Sequence, residues 1–250
     1  MENNEKEGNN NIIDLSKYNI VKVEKDEDIS NLEEITYKVI VIGDPAVGKS
    51  SIIQNLVNES EPIKEVYKST IGFDIFNYSA HINEKLITMQ IWDTCGLIDF
   101  STCTPKLYNN VSLAIIVYEI DKKNTFDNIQ NWLNLLKLNS SAETIVFIVG
   151  NKLDLEEFRK VSKEEGEKYV KDNEFKFFTE TSAKDRKYVK EMFHRGLVEL
   201  YELNNIYKKN REDDDEEERI DFTKRRDTFK LNKKKNDYEK NNSNSCCIIY

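Results

Sequence analysis

In the run Gly43-Asp44-Pro45-Ala46-Val47-Gly48-Lys49-Ser50, two glycines bracket a short loop, and a lysine and a hydroxyl stand at its exit. Those residue types at that spacing hold phosphates. Glycine lets the backbone turn so that successive N–H groups, those of Asp44, Ala46 and Val47 among them, face one set of phosphate oxygens. Lys49 then reaches the outer phosphates, and the Ser50 hydroxyl is a hard oxygen ligand suited to Mg²⁺. The loop follows the strand-like Val39-Ile40-Val41-Ile42 and precedes a helix-like run opening with Lys49, Ser50 and Ser51. The positive end of that helix is therefore directed at the same anion. A nucleoside triphosphate is the ligand this arrangement predicts.

A phosphate loop does not distinguish ATP from GTP; that requires a second group reading the base. Asn151-Lys152-Leu153-Asp154 directly follows an apolar run ending at Val149 and Gly150. There the Asp154 carboxylate accepts two hydrogen bonds from guanine N1–H and the 2-amino group, a donor pair that adenine lacks. Thr181-Ser182-Ala183-Lys184 brings a backbone N–H to guanine O6 at the same edge. Asp93-Thr94-Cys95-Gly96 supplies an acid to the magnesium water shell and a glycine amide that approaches the γ-phosphate. Thr70 offers a second hydroxyl to the ion when the γ-phosphate is present, so Ser50, Thr70 and Asp93 form the expected metal set.

For these loops to meet, the segments between them must form an α/β layer structure. Short β-branched runs at Lys38 to Ile42, Asp74 to Ser79, Leu86 to Trp92, Leu113 to Glu119, Thr144 to Val149 and Phe175 to Thr179 predict strands. Phe126, Ile129, Trp132, Leu133 and Leu136 form one helical stripe, and Val189, Met192, Phe193, Leu197 and Leu200 another, both read as core packing. Ser162 with Glu165 is a capping box opening a helix to about Asp172. The short link from Ala80 to Lys85 predicts a hairpin and hence one antiparallel edge strand. The expected architecture is a three-layer α/β domain: a mostly parallel six-stranded sheet with one antiparallel edge strand and helices on both faces. Residues 1–35 read as a disordered polar extension, 36–204 as the folded domain and 205–250 as a flexible charged tail.

The net charge of −9 argues against binding nucleic acid through its phosphates. Much of the acidity lies in the run Glu212 to Glu218, expected to be a solvated stretch. No apolar segment approaches a membrane span and no signal-peptide core is seen, which predicts a chain that starts in the cytosol. The 4 cysteines and 2 histidines show neither disulfide nor zinc spacing.

Taken in order, the phosphate loop, Ser69-Thr70-Ile71-Gly72-Phe73-Asp74, Trp92-Asp93-Thr94-Cys95-Gly96, Asn151-Lys152-Leu153-Asp154 and Glu180-Thr181-Ser182-Ala183-Lys184 resemble the motifs of the Ras-like small GTPases. Within these the Rab branch is indicated by Thr70-Ile71-Gly72-Phe73-Asp74, Gln90-Ile91-Trp92-Asp93-Thr94, Val117-Tyr118-Glu119-Ile120 and the paired terminal cysteines. The resemblance runs from about Tyr37 to Leu203, and Asn151 to Lys184 looks most like Golgi-associated Rabs. It implies a P-loop GTPase fold and a GTP/GDP switch with Mg²⁺ that regulates vesicle-mediated transport. Lys49, Thr70, Gly96 and the residue after it would be the catalytic positions. The implied partners are an exchange factor, a GTPase-activating protein, effectors, a prenyl transferase and escort or dissociation-inhibitor proteins. The implied location is the cytosol and the cytoplasmic face of a Golgi or endosomal membrane. Effectors of the family meet three aromatics, here matched by Trp92, Tyr108 and Ile75 in place of the third. Cys246 and Cys247 resemble geranylgeranyl acceptors, with Lys224-Arg225-Arg226 and Lys233-Lys234-Lys235 placed to attract anionic headgroups.

The chain departs from the family at Leu97, where a glutamine usually orients the attacking water, and at Ile63, where an aromatic often lies beside guanine. Leucine has no donor or acceptor, so slow intrinsic hydrolysis is expected while nucleotide affinity is kept. A non-hydrolysing, GTP-loaded, membrane-tethered adaptor is the alternative that Leu97 leaves open, and a P-loop ATPase is the one that Asp154 opposes. Single-turnover hydrolysis should accelerate on the order of ten- to a hundred-fold in Leu97→Gln; equal rates would show that the side chain at this position does not limit the reaction.

Overall fold

Alternate residues of one strand serve two cores. In β2 (Glu34–Ile42), Val39 and Val41 pack into one apolar cluster and Ile40 and Ile42 into the other, all four fully buried. That is the period-2 signature of a strand covered on both faces. The computed structural model describes residues 13–23, 34–59, 70–83, 85–96, 104–140 and 143–214.

The remaining strands are β1 (Ile20–Lys22), β3 (Phe73–Ile82), β4 (Lys85–Thr94), β5 (Leu113–Glu119), β6 (Ile145–Asn151) and β7 (Phe177–Glu180). They form one seven-stranded sheet in the order β1-β3-β4-β2-β5-β6-β7. Pairing is parallel from β4 through β7 and antiparallel at β1–β3 and β3–β4. Helix α1 (Lys49–Val57) and α6 (Val189–Asp214) cover one face through Ile52, Ile53, Leu56, Val189, Met192, Phe193, Leu197 and Leu200. The other face carries α2 (Thr104–Tyr108), α3 (Lys123–Asp127), α4 (Ile129–Asn139) and α5 (Lys163–Asp172), packed through Tyr108, Phe126, Trp132, Leu136 and Val170. Both predicted stripes are buried. Ser162 caps α5 as expected, its hydroxyl accepting from Glu165 N–H at 3.1 Å.

The expected six strands are corrected to seven among the described residues, and the antiparallel strand β3 is not the edge. Residues 1–35 were expected to lie outside the fold, yet Ile20–Lys22 pair with Ala80–Ile82 and Val23 N–H continues to Ser79 O. The reason is local chemistry. Tyr18 sets its ring edge-on to Tyr201 of α6, with centroids 6.0 Å apart, and donates its hydroxyl to Glu202 Oε1 at 2.9 Å. Burial and that carboxylate push its phenol up to about 12. At the other end, α6 passes the expected boundary at 204 and runs to Asp214, so Glu212, Asp213 and Asp214 belong to a helix. The rest of the predicted tail, including Cys246 and Cys247, lies outside the described residues, as do Ile63 and Leu97.

Deleting residues 1–23 should cost about 2 kcal/mol, the value of one aromatic pair and one hydrogen bond to a carboxylate, and lower the thermal midpoint by roughly 4–8 °C. Nucleotide affinity should stay within about two-fold. An unchanged midpoint in thermal unfolding would show that the segment contributes nothing.

Candidate nucleotide site

Four loops leave the carboxyl ends of β2, β4, β6 and β7 at the same edge of the sheet, where α/β folds bind ligands. With Thr70, which comes from the segment before β3, they enclose a cavity of about 430 Å³ whose lining includes Ala46, Gly48, Lys49, Ser50, Ser51, Asn151, Lys152, Asp154, Ala183 and Lys184. Gly43, Asp44, Val47, Gly96 and Ser182 lie in the same loops beside lining residues, and Asp93 lies at the end of β4 next to Thr94 of the lining.

The phosphate loop has its own constraints. Gly48 begins α1 at φ 98°, and a Cβ there would run into the side-chain amide of Asn151. Gly96, at φ 75°, brings the loop after β4 so close that a Cβ would meet Lys49 Nζ and Pro45 N at 2.5 and 2.8 Å. At both positions only glycine fits. The Lys49 ammonium spans the loop, donating to Gly43 O at 2.9 Å and Asp44 O at 2.8 Å. Burial pushes it down to about 8, against the opposing pull of Asp93, Cys95 and Asp44. A buried cation whose hydrogen bonds among the described residues go to carbonyls suits a polyanion as its counter-charge.

Ser50, Thr70 and Asp93 are brought together. The two hydroxyls are 2.9 Å apart, and Thr70 Oγ1 lies 3.4 Å from Asp93 Oδ2. Asp93 is 1% exposed, its carboxyl is raised by burial, and its Oδ1 is buried without a hydrogen-bond partner among the described residues. Two hydroxyls and an unsatisfied carboxylate oxygen are a hard-oxygen donor set, which fits Mg²⁺. When bound, that ion neutralises charge developing on the terminal phosphates.

The two loops expected to read the base, Asn151 to Asp154 and Thr181 to Lys184, lie against each other. Asp154 Oδ1 accepts from Ser182 Oγ at 2.8 Å, and that hydroxyl accepts from Asp185 N–H at 3.0 Å, which orients the carboxylate. Asn151, 1% exposed, donates from Nδ2 to Val47 O at 2.8 Å and accepts at Oδ1 from Thr181 Oγ1 and Ala183 N–H at 3.1 and 3.2 Å. Asn55 of α1 also donates to Ala183 O. Lys152 takes the left-handed conformation, φ 68°, and its ammonium meets buried Glu119 at 2.9 Å.

Several contributors were missed from sequence. Glu119 read as the end of an apolar strand, Arg159 carried no motif, and Trp132 looked like core alone. Arg159 bridges Glu156 and Glu180, at 2.5 and 2.6 Å, and so ties the Asp154 loop to the strand before Thr181. Tyr108 is corrected: it is 3% exposed within the core and not displayed. Of the proposed trio, Ile75 is exposed, and Trp92 is half-buried, stacked on Phe73 at 4.8 Å with the Lys38 ammonium 4.1 Å from its ring centroid.

A model of the Ras family matches residues 38–202, which spans every loop of this cavity. The chain belongs to the Ras family. Among curated proteins, this Ras-family chain is 36% identical to Ras-related protein RABA5c of Arabidopsis thaliana over 216 residues, covering 86% of the chain and 95% of that relative. It is 38% identical to RABA5e of the same plant over 177 residues, 71% of the chain and 79% of the relative. With Ras-related protein Rab-11C of Dictyostelium discoideum it shares 37% identity over 170 residues, 68% of the chain and 75% of that protein. It is a Rab-like small GTPase that binds GTP and GDP with Mg²⁺, hydrolyses GTP, and works with exchange factors, activating proteins and effectors. The ATPase alternative is thereby set aside, and the non-hydrolysing adaptor is not favoured.

Asp154→Asn replaces a charged double acceptor with a group that must turn a donor toward guanine. GTP affinity should fall on the order of a hundred-fold, with ATP affinity unaffected. Equal loss for both nucleotides, measured by competition against a fluorescent GDP analogue, would remove Asp154 from base recognition.

Proposed function

We propose that this GTPase times the recruitment of effectors to an endomembrane in vesicle traffic. The observation that supports it most is the single cavity in which Lys49, Ser50, Thr70, Asp154 and Ala183 face one another although they come from four separate loops. In this reading the backbone N–H groups of the Gly43 to Ser51 loop, Pro45 excepted, hold the phosphates, with Lys49 on their outer oxygens. Ser50, Thr70 and Asp93 serve the metal; Asp154, Ser182, Ala183 and Lys184 read guanine, and Asn151 and Lys152 support them. Thr70 and Gly96 report the terminal phosphate, so its loss releases their loops. Leu97 slows the intrinsic reaction and prolongs the GTP state, leaving turnover to an activating protein.

Residues 215–250 would carry the lipid. Prenylation of Cys246 and Cys247 by a prenyl transferase, with escort and dissociation-inhibitor proteins moving the chain between cytosol and membrane, gives the two-chain anchorage that stable attachment needs. A Golgi or endosomal membrane is the destination of this reading. No helix among the described residues is long and apolar enough to cross a bilayer.

A tagged full-length chain should sediment with internal membranes, and the double variant Cys246→Ser, Cys247→Ser should move to the soluble fraction while retaining GTP binding. Membrane association that survives the double substitution would refute the lipid anchor.

A further inference from the structure

Asp44 is a carboxylate in the middle of a loop built to bind anions. Left free, it would repel the phosphates that the neighbouring amides attract. It does not line the cavity, and it is 9% exposed. Both oxygens are occupied from the outer layer: Trp132 Nε1 donates to Oδ1 at 2.8 Å, and Asn128 Nδ2 donates to Oδ2 at 2.7 Å.

The two donors are themselves fixed. Asn128 closes α3 and opens α4, and its carbonyl accepts from Asn131 N–H at 2.9 Å and Trp132 N–H at 3.3 Å. Trp132 is 3% exposed among the apolar side chains of that face. On the main-chain side, Asp44 O accepts from Lys49 Nζ. Beyond it the loop is exposed at Pro45 and Ala46, with Ala46 at φ 63°. Asp44 is thus a point anchored through its side chain immediately before the exposed span.

We propose that Trp132 and Asn128 are positioning residues for the nucleotide: by holding the Asp44 carboxylate against α4 they keep a negative charge out of the phosphate site and fix the curve of the loop. The inference rests on the reading of Gly43 to Ser51 as the phosphate loop. Neither residue lines the cavity. The hydrogen bonds are charge-assisted, so losing one releases the carboxylate toward the cavity as well as loosening the loop. A merely structural role for Trp132 would lower stability and leave nucleotide release unchanged.

The test is the dissociation rate of a fluorescent GDP analogue from the full chain in Mg²⁺, with the thermal midpoint measured alongside. Trp132→Phe keeps most of the ring and loses the N–H; Asn128→Ala is at a partly exposed position and leaves the core intact. Each should speed dissociation about ten-fold, and Asn128→Asp, which sets two carboxylates face to face, should exceed both. Adding Asp44→Asn to Asn128→Asp exchanges donor and acceptor and should bring release back to within about three-fold of the parent. The proposal is overturned if Trp132→Phe and Asn128→Ala release GDP at the parent rate, or if the exchange gives no rescue. A parent chain that fails to bind the analogue would refute the phosphate-loop reading itself.

Discussion

One buried side-chain amide joins the segments proposed to hold opposite ends of the ligand. Asn151 donates to the phosphate loop at Val47 and accepts from Thr181 and Ala183 in the last loop, while its own strand leads into Asp154. These residues lie more than a hundred positions apart at the extremes of the chain segment involved, and no stretch of regular structure connects them directly. With both ends of the amide paired and almost no exposure, any shift of one loop leaves a buried polar group unsatisfied, which costs about 1–3 kcal/mol. The close contact that makes glycine obligatory at position 48 is the same contact seen from the other side.

The sheet makes that junction possible. Parallel pairing of β2, β5, β6 and β7 sends every one of their carboxyl ends to one edge, so loops distant in sequence become neighbours. Glu119 and Asn151 are register partners at the ends of β5 and β6, and this is why the Glu119 carboxylate is within reach of Lys152. The outer layer adds to the same edge from behind. Asn128 and Trp132 touch the phosphate loop across α3 and α4, so a helix read as packing also shapes the site.

What could be read from residues follows how locally each signal is encoded. The span of β5 agrees with the structure at both ends because Leu113 to Glu119 is an unbroken run buried on both faces. That Lys49, Ser50, Thr70, Asp154 and Ala183 would share one cavity was legible because each belongs to a short local run of glycine, hydroxyl, lysine or carboxylate residues at fixed spacing. Strand β1 was not legible: three residues have no period, and it is contacts distant in sequence that draw them into the fold, the edge of β3, the core against which Ile20 packs, and Tyr201 and Glu202 meeting the adjacent Tyr18. Trp132 sat in a helical stripe, and periodicity describes where a ring is buried but not where its single N–H points. Tyr108 misled for the converse reason, since an aromatic beside a loop can be either displayed or buried, and here the core holds it.

Calorimetric titration of the nucleotide-free chain with magnesium GTP and, separately, magnesium ATP tests the central claim most directly, since one group must read the base while another grips the phosphates. GTP should bind tightly with a stoichiometry of one, and ATP should bind weaker by on the order of a thousand-fold or more. Equal heats and affinities for the two nucleotides, or no association of GTP at all, would contradict the account.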